Sequence, residues 1–166
     1  MRNGYALCTS QGLSAIGKLL RDASESPLDS LRDLLAVGLH QDVDVTDVAG
    51  PDRPRVSQVF CSALPVSYTP IAAHSWEPFA RLVLEAAYES TLLAACERHR
   101  QGGSNTVLLT RVGGGAFGNE DQWIDAAIER ALRLVEFNGL DVRLVSFRTV
   151  HPSMRAIEQR RAHPYP

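Results

Sequence analysis

The sequence predicts an α/β fold with a mixed, mostly parallel sheet of about five strands, and three observations support this prediction. First, residues 106–112 form a β-rich apolar run, residues 122–138 carry apolar side chains at helical spacing, and residues 142–147 form a second strand-like run. Second, a strand, a helix and a strand in this order form a βαβ unit, which implies parallel strands joined by a right-handed crossover. Third, the chain has 166 residues, of which 45% are apolar and 22% are charged, as in one globular domain.

The N-terminal part of the chain predicts two short strands with helical segments between them. Residues 5–9 form a short, mostly apolar run, and residues 43–46 alternate apolar and polar side chains, as in a half-buried strand. A first helix is indicated by the spacing of Leu13, Ile16 and Leu20. Ser26 followed by Pro27 is typical of a helix start, and Gly38 is typical of a helix end.

A strand and a long helix are predicted in the middle of the chain. Residues 56–64 have a strand-like pattern that becomes fully apolar, and Pro65 closes it. Trp76 begins a helix that runs to about Arg100, with one apolar face at a period near 3.6 residues. Residues 101–103, Gln-Gly-Gly, end this helix, and the strand of the βαβ unit follows.

The termini and the cysteines predict domain organisation and location. We expect one domain over residues 1–150, followed by an irregular polar tail over residues 151–166. The N-terminus lacks the long apolar core of a signal peptide, and no apolar run approaches the length of a membrane span. Cys8, Cys61 and Cys96 are odd in number and far apart, which favours reduced thiols. We therefore expect a cytoplasmic protein without a membrane partner.

Charge and histidine spacing argue against further classes of ligand. The formal net charge is −2, whereas a nucleic-acid partner usually requires a basic face. No spacing typical of metal ligands relates the histidines, which are His40, His74, His99, His151 and His163. We expect these histidines to be solvated or to cap other groups, and we predict no metal and no cofactor.

The most informative segment is a glycine-rich loop between predicted strand 106–112 and predicted helix 122–138. Four of the six residues from 113 to 118 are glycine. Glycines let main-chain N–H groups approach an anion, and a helix N-terminus adds partial positive charge. We predict a phosphate or diphosphate site with these ligand-binding residues: Gly113, Gly114, Gly115, Ala116, Phe117, Gly118 and Asn119. The alternative is that the glycines only turn a tight corner and pack helix on strand.

Two common nucleotide-binding patterns do not fit this loop. Gly113, Gly115 and Gly118 match the GxGxxG fingerprint, but that fingerprint belongs in the first strand–helix turn of a Rossmann domain. The acidic residue at about the right distance, Asp141, lies at the start of the next predicted strand and not at its end. A Walker loop is excluded because no Lys-Ser/Thr pair follows the last glycine.

Residues 107–119 resemble the second ligand loop of macrodomains. In that family a core strand leads into a small-Gly-apolar-aromatic-Gly turn, and a helix and a last strand follow. Here residues 114–118, Gly-Gly-Ala-Phe-Gly, supply the turn. The preceding strand that ends in Pro65 and the long helix after it also agree with the family's order. The resemblance covers about residues 56–148, which correspond to the second half of a macrodomain.

The resemblance implies a three-layer macrodomain-like sandwich that binds ADP-ribose or a related nucleotide diphosphate. The main chain of residues 114–118 would hold the diphosphate, and Phe117 would pack near the distal ribose. The family's first ligand loop has no counterpart here, so the N-terminal part of the domain would be missing. A missing half would expose a sheet edge or an apolar face and favour a homo-oligomer.

Two further functions stay open at this point. Some macrodomains hydrolyse ADP-ribose linkages, and the triple glycine followed by Glu120 and Asp121 resembles a motif of poly(ADP-ribose) glycohydrolases. Glu120 is then the candidate catalytic residue of an ADP-ribosyl hydrolase, although acidic residues also commonly complement the dipole of a helix start. The other alternative is an association fragment whose glycine loop is a relic.

Overall fold

The computed structural model describes residues 3–162, which contain five α-helices and four β-strands. The helices are α1 (Ser10–Asp22), α2 (Glu25–Arg32), α3 (Glu77–Arg100), α4 (Asp121–Leu134) and α5 (Pro152–Ala162). The strands are β1 (Gly38–Asp44), β2 (Arg55–Phe60), β3 (Thr106–Leu109) and β4 (Asp141–Leu144). The chain is therefore of the α/β class, with most of its regular structure in helices.

The strands form two separate sheets, so the predicted sheet of about five strands, and with it the three-layer sandwich, is wrong. β1 pairs with β2 in an antiparallel hairpin, and β3 pairs with β4 in a parallel pair. Strands buried inside a helix-covered parallel sheet need near-continuous apolar runs. β1 instead carries mostly polar side chains and an irregularity between His40 and Val43, where Asp42 has φ +51°. This strand lies outside the core for that reason.

The N-terminal run 5–9 also departs from its predicted strand. The chain turns into α1 at Ser10 because Thr9 caps this helix, accepting a hydrogen bond from the main-chain N–H of Gly12 at 3.1 Å. A threonine before an apolar helical pattern is a typical N-cap, and here it ends the extended run.

The predicted βαβ unit is confirmed, with shorter elements. β3 and β4 run parallel, and Thr106 pairs with Asp141 at one end of the register and Leu109 with Leu144 at the other. In the chain, α4 lies between the two strands. β3 ends before residue 110 because the Tyr88 hydroxyl donates to the carbonyl of Thr110 and accepts from the N–H of Val112, both at 2.8 Å. Tyr88 thus occupies the main-chain groups that a longer strand would pair, and the loop starts there.

The core lies between α3, α4 and the inner face of β3. Most of its large, fully buried side chains belong to the helices or their ends. They include Leu13, Trp76, Leu84, Leu92, Ile124 and Ile128. α3 is central, since it contacts α1, α2 and α4. This rigid helical body holds the end of β3 and the start of α4, between which the glycine loop lies.

The C-terminal tail is helical in its described part, so the predicted irregular tail is wrong for residues 152–162. Met154 and Ile157 of α5 are 3% and 1% exposed and pack beside α4. The sequence signal is weak because only these few apolar side chains interrupt a strongly polar helix. The prediction for residues 163–166 lies outside the described residues.

Candidate functional site

The glycine loop leaves the carboxyl end of β3 and enters α4, where the βαβ unit places it. Gly113 has φ +81° and Gly118 has φ +66°, a left-handed conformation that favours glycine. A Cβ atom on Gly113 would lie 2.4 Å from Cβ of Ala63, and one on Gly118 would lie 2.9 Å from Cβ of Ser67. Backbone angle and packing against the segment after β2 therefore both require glycine at these two positions.

The two central glycines differ from this pair. A Cβ atom on Gly114 would meet Cδ1 of Ile124 at 3.1 Å, whereas a Cβ atom on Gly115 would meet no atom within 4 Å. Gly114, Gly115 and Ala116 are all exposed. Nothing in the described protein requires glycine at position 115, whose Cβ would point into open space.

The loop carbonyls are bound by the protein. The N–H of Asn119 donates to the carbonyl of Gly113, and the N–H of Gly118 donates to the carbonyl of Gly115, both at 3.0 Å. Ser67 binds the next two carbonyls, since its hydroxyl donates to Ala116 at 2.5 Å and its N–H donates to Phe117 at 3.0 Å. Four of the five carbonyls from Gly113 to Phe117 thus accept hydrogen bonds from the protein, and that of Gly114 is the exception among the described contacts.

The loop amides, in contrast, lack protein partners. Within residues 3–162, no acceptor receives a hydrogen bond from the main-chain N–H groups of residues 113–117. Free N–H groups that follow one another in a turn form a concavity that attracts anions. The protein therefore binds four of the loop carbonyls and leaves the amides of residues 113–117 without an acceptor among the described residues.

Asn119, predicted as a ligand contact, lies beneath the loop instead. Its side chain is 4% exposed, and Nδ2 donates to the carbonyls of Leu64 at 2.8 Å and Gly113 at 3.3 Å. Its Oδ1 is buried without a hydrogen-bond partner in the described chain. Asn119 thus braces the start of the loop against the segment after β2.

Three aromatic rings cluster at the end of the loop. The ring centroid of Phe117 lies 5.4 Å from that of Tyr68 and 6.0 Å from that of Tyr5, and the two tyrosine rings are 5.1 Å apart. The contacts are edge-to-face, and Tyr5 and Tyr68 are 38% and 45% exposed. Sequence reasoning identified Phe117 only, because the two tyrosines are distant in the chain and belong to no motif.

The only arginine side chain contacting the start of α4 in the described structure is already paired. Arg111 binds Asp121 at 2.7 Å and forms a short contact with Asp125. Its guanidinium also donates to the Ser153 hydroxyl at 2.7 Å, which connects the loop to α5. This cation stabilises the packing of α4 and α5, and its charge is compensated by two carboxylates.

His151 and Glu120 occupy the starts of the two helices near this arginine. Nδ1 of His151 accepts a 3.4 Å hydrogen bond from the N–H of Ser153, so this histidine caps α5, as predicted for the histidines. Its Nε2 lies 3.4 Å from Asp121. Glu120 is the residue before α4, is exposed, and its side chain makes no capping hydrogen bond. The candidate catalytic carboxylate thus faces solvent.

Neither the partly buried thiol nor the buried phenol near β3 is poised for chemistry. Burial raises the pKa of the Cys61 thiol, which a hydrogen bond with Thr91 partly offsets, so the nucleophilic thiolate is disfavoured. Burial also raises the pKa of Tyr88 to about 12. Both groups are neutral at neutral pH and serve packing and main-chain binding.

Four surface cavities of the described chain, with volumes of about 710, 780, 430 and 260 Å³, are lined by residues other than those of the glycine loop. The loop is an open shelf. Among residues 3–162 no group of three His, Cys, Asp or Glu side chains could hold a metal ion. In the same residues, every helix is too short or too polar to cross a membrane.

Comparisons of the chain with protein-family models, with curated proteins and with solved structures gave no match.

Proposed function

We propose that the glycine loop binds the diphosphate of ADP-ribose or of a related nucleotide. The observation that carries this proposal is the row of five main-chain N–H groups, residues 113–117, that donate to no acceptor within residues 3–162. The neighbouring carbonyls are bound by Ser67, Gly118 and Asn119, so the loop is held in shape before a ligand arrives. A pre-arranged set of donors loses little conformational entropy on binding.

The N-terminus of α4 also favours a negatively charged ligand. The helix begins at Asp121, directly after the loop, and its unpaired N–H groups carry partial positive charge. Arg111 adds little, because Asp121 and Asp125 already compensate it. Binding would therefore depend on main-chain dipoles, and a small anionic group suits them better than an extended acidic polymer.

The aromatic cluster supports a nucleotide over inorganic phosphate. Tyr5 and Tyr68 present exposed rings and hydroxyl groups beside the loop, and the partly buried ring of Phe117 packs against both. Aromatic faces pack against sugars and bases, while tyrosine hydroxyls bind polar groups at their rims. A ligand with a diphosphate and an attached ribose would contact both the amides and the rings.

Gly115→Ala tests the proposal, because its new Cβ enters open space on the outer side of the loop. We expect calorimetric titration of the wild-type chain to show binding of ADP-ribose, with AMP and NAD as comparison ligands. The alanine variant should lose about tenfold or more in affinity, as expected when one or more charge-assisted hydrogen bonds are lost. Its melting temperature should stay unchanged.

Gly38→Ala is the matched control. A Cβ atom there meets Cβ of Phe60 at 3.4 Å, an ordinary contact, and the residue lies in β1 rather than in the loop. This variant should bind ADP-ribose as the wild type does. If the wild-type chain binds none of the three nucleotides, the loop has only a structural role and the proposal is wrong.

We assign no catalytic role to Glu120, since its exposed side chain contacts neither the loop amides nor a base. Glu120→Gln should still bind ADP-ribose. Because the variant lacks one negative charge beside the helix start, its affinity should equal that of the wild type or exceed it by no more than about fivefold. Loss of ADP-ribosyl hydrolysis in this variant, with hydrolysis in the wild type, would contradict that assignment. The proposal includes a cytoplasmic location, supported by three free cysteines.

A further inference from the structure

The hydroxyl of Ser153 and the imidazole of His151 are in hydrogen-bond contact at the start of α5. Oγ of Ser153 lies 2.8 Å from Nδ1 of His151, and Nε2 of the same ring lies 3.4 Å from Oδ2 of Asp121. His151 directly precedes α5, Ser153 is the second residue of that helix, and Asp121 is the first residue of α4. A hydroxyl, an imidazole and a carboxylate in this order form the arrangement that activates a serine nucleophile.

A main-chain contact of His151 determines which ring nitrogen carries the proton. The N–H of Ser153 donates to Nδ1 at 3.4 Å, so Nδ1 is an acceptor and Nε2 carries the ring proton. The Nε2–H group then faces the carboxylate of Asp121, which favours this tautomer. Because the lone pair of Nδ1 faces Ser153, it can accept the proton of the Ser153 hydroxyl.

Asp125 competes for the same hydroxyl proton. Its Oδ1 lies 3.0 Å from Oγ of Ser153, farther than Nδ1 of His151, and it already accepts a hydrogen bond from Arg111. An imidazole is also in general a stronger base than a carboxylate. Arg111 donates to Oγ of Ser153 at 2.7 Å, so its guanidinium stabilises negative charge that develops on this oxygen. The environment of Oγ therefore favours transfer of its proton to His151.

The surroundings of Ser153 indicate what kind of substrate it can reach. Ser153 and His151 are only partly buried, and the residues that line the four cavities do not include Ser153. A short acyl group suits such a surface site. Two carboxylates, Asp121 and Asp125, and one guanidinium surround the pair, so an uncharged substrate suits it better than an anion. The N-terminus of α5 adds partial positive charge, which stabilises a developing oxyanion.

We propose that Ser153 is the nucleophile of an acyl transfer from small, uncharged carboxylic esters, with His151 as its general base. Oγ attacks the carbonyl carbon of the ester, and its proton passes to Nδ1 of the imidazole. The bond from the carbonyl carbon to the alcohol oxygen then breaks, and that oxygen takes the proton from Nδ1. Water next attacks the acyl-serine and gives one proton to Nδ1, which returns it to Oγ as the free acid leaves. Asp121 acts through the imidazole and is a positioning residue.

The activated ester p-nitrophenyl acetate, added to the full chain, tests this proposal, which does not depend on nucleotide binding. We expect a burst of one p-nitrophenolate per chain, followed by slower turnover, and an acetyl group on Ser153 in peptide mass mapping. Ser153→Ala should abolish the burst, and His151→Gln should slow acylation about 100-fold or more. Ser146→Ala is the matched control and should react as the wild type does. Ser146 is an exposed serine whose hydroxyl donates to the carbonyl of Thr149.

A pair of variants separates the positioning role of Asp121 from a structural one. Asp121→Asn should slow acylation of the otherwise unchanged chain about tenfold or more. In the His151→Gln background the same substitution should have no further effect, because Asp121 acts through the imidazole. Equal slowing in both backgrounds would show that Asp121 only stabilises the packing of α4 and α5.

Two results would overturn the proposal. One is the absence of acetyl-Ser153 in the wild-type chain, whether or not another residue is acetylated. The other is an equal burst in Ser153→Ala and Ser146→Ala, since the contact between Ser153 and His151 would then only cap α5. Melting curves establish that each variant is folded before rates are compared. The acetylation site of the wild type requires no variant and decides the question even if Ser153→Ala does not fold.

Discussion

Nδ2 of Asn119 lies 2.8 Å from the carbonyl oxygen of Leu64, a residue 55 positions earlier in the chain. The same amide group reaches the carbonyl of Gly113, so one buried side chain joins both ends of the loop to the segment after β2. The shape of the loop therefore depends on a contact that is remote in sequence.

Asn119→Ala should destabilise the chain by about 1–3 kcal/mol, because the buried carbonyl of Leu64 loses its donor. Urea unfolding measures this change, and the slope of the transition should stay constant. The loop should also lose its pre-arranged shape, so ADP-ribose affinity should fall. An unchanged unfolding midpoint would contradict the bracing role of Asn119.

Gly113→Ala should destabilise the chain by about 2–5 kcal/mol without any ligand. The left-handed backbone costs about 1–2 kcal/mol for a residue with Cβ, and overpacking against Ala63 adds about 1–3 kcal/mol. Gly118→Val should behave in the same way, since its Cβ meets Ser67. Thermal unfolding compares these two variants with Gly115→Ala, which should melt like the wild type because its Cβ meets no atom. Equal melting temperatures for all three variants would contradict the distinction between packed and unconstrained glycines.

Tyr88→Phe should cost about 1–3 kcal/mol at neutral pH, because the main-chain groups of Thr110 and Val112 lose their partner. Burial raises the pKa of Tyr88 from 10 to about 12, so its protonated form is favoured in the folded state. The corresponding stability, about 3 kcal/mol, is complete below pH 10 and is lost as pH rises through 12. Denaturant unfolding between pH 8 and 12 should show this loss in the wild type but not in the variant.

Arg32→Ala should destabilise the chain by about 3 kcal/mol or more. Arg32 is 7% exposed and binds the mostly buried Glu85 at 2.7 Å, so its removal leaves a carboxylate with reduced compensation. Arg100→Ala, which breaks an exposed pair with Glu97, is the control and should cost less than about 1 kcal/mol. Equal costs in urea unfolding would show that α2 does not depend on this buried arginine.

The sequence predicted the elements whose signals are local. Residues 106–147 combine a β-rich run, a helical period and a second apolar run, and the structure confirms the parallel pair with α4 between. The length of β3 escaped prediction because it is set by the hydroxyl of Tyr88, 22 residues from Thr110. The helix α5 escaped prediction because its burial depends mainly on Met154 and Ile157.

The joining of strands into one sheet was the main error. Apolar runs identify strands but not their partners, and the hairpin lies apart because β1 is polar and irregular. Within the candidate site, the sequence located the glycines but could not separate those fixed by packing, Gly113 and Gly118, from the unconstrained Gly115. That difference arises from Ala63 and Ser67, which no local motif includes.

The hydrogen bonds that occupy the loop carbonyls also favour anionic ligands over cationic ones at this loop. A metal cation at this shelf would need oxygen ligands, yet the carbonyls of Gly113, Gly115, Ala116 and Phe117 already accept hydrogen bonds from the protein. A nucleotide carrying Mg²⁺ would therefore find few free carbonyl ligands for its metal on the loop. The loop would then discriminate against a chelated diphosphate whose free oxygens are shielded, and free ADP-ribose would compete better than its magnesium complex.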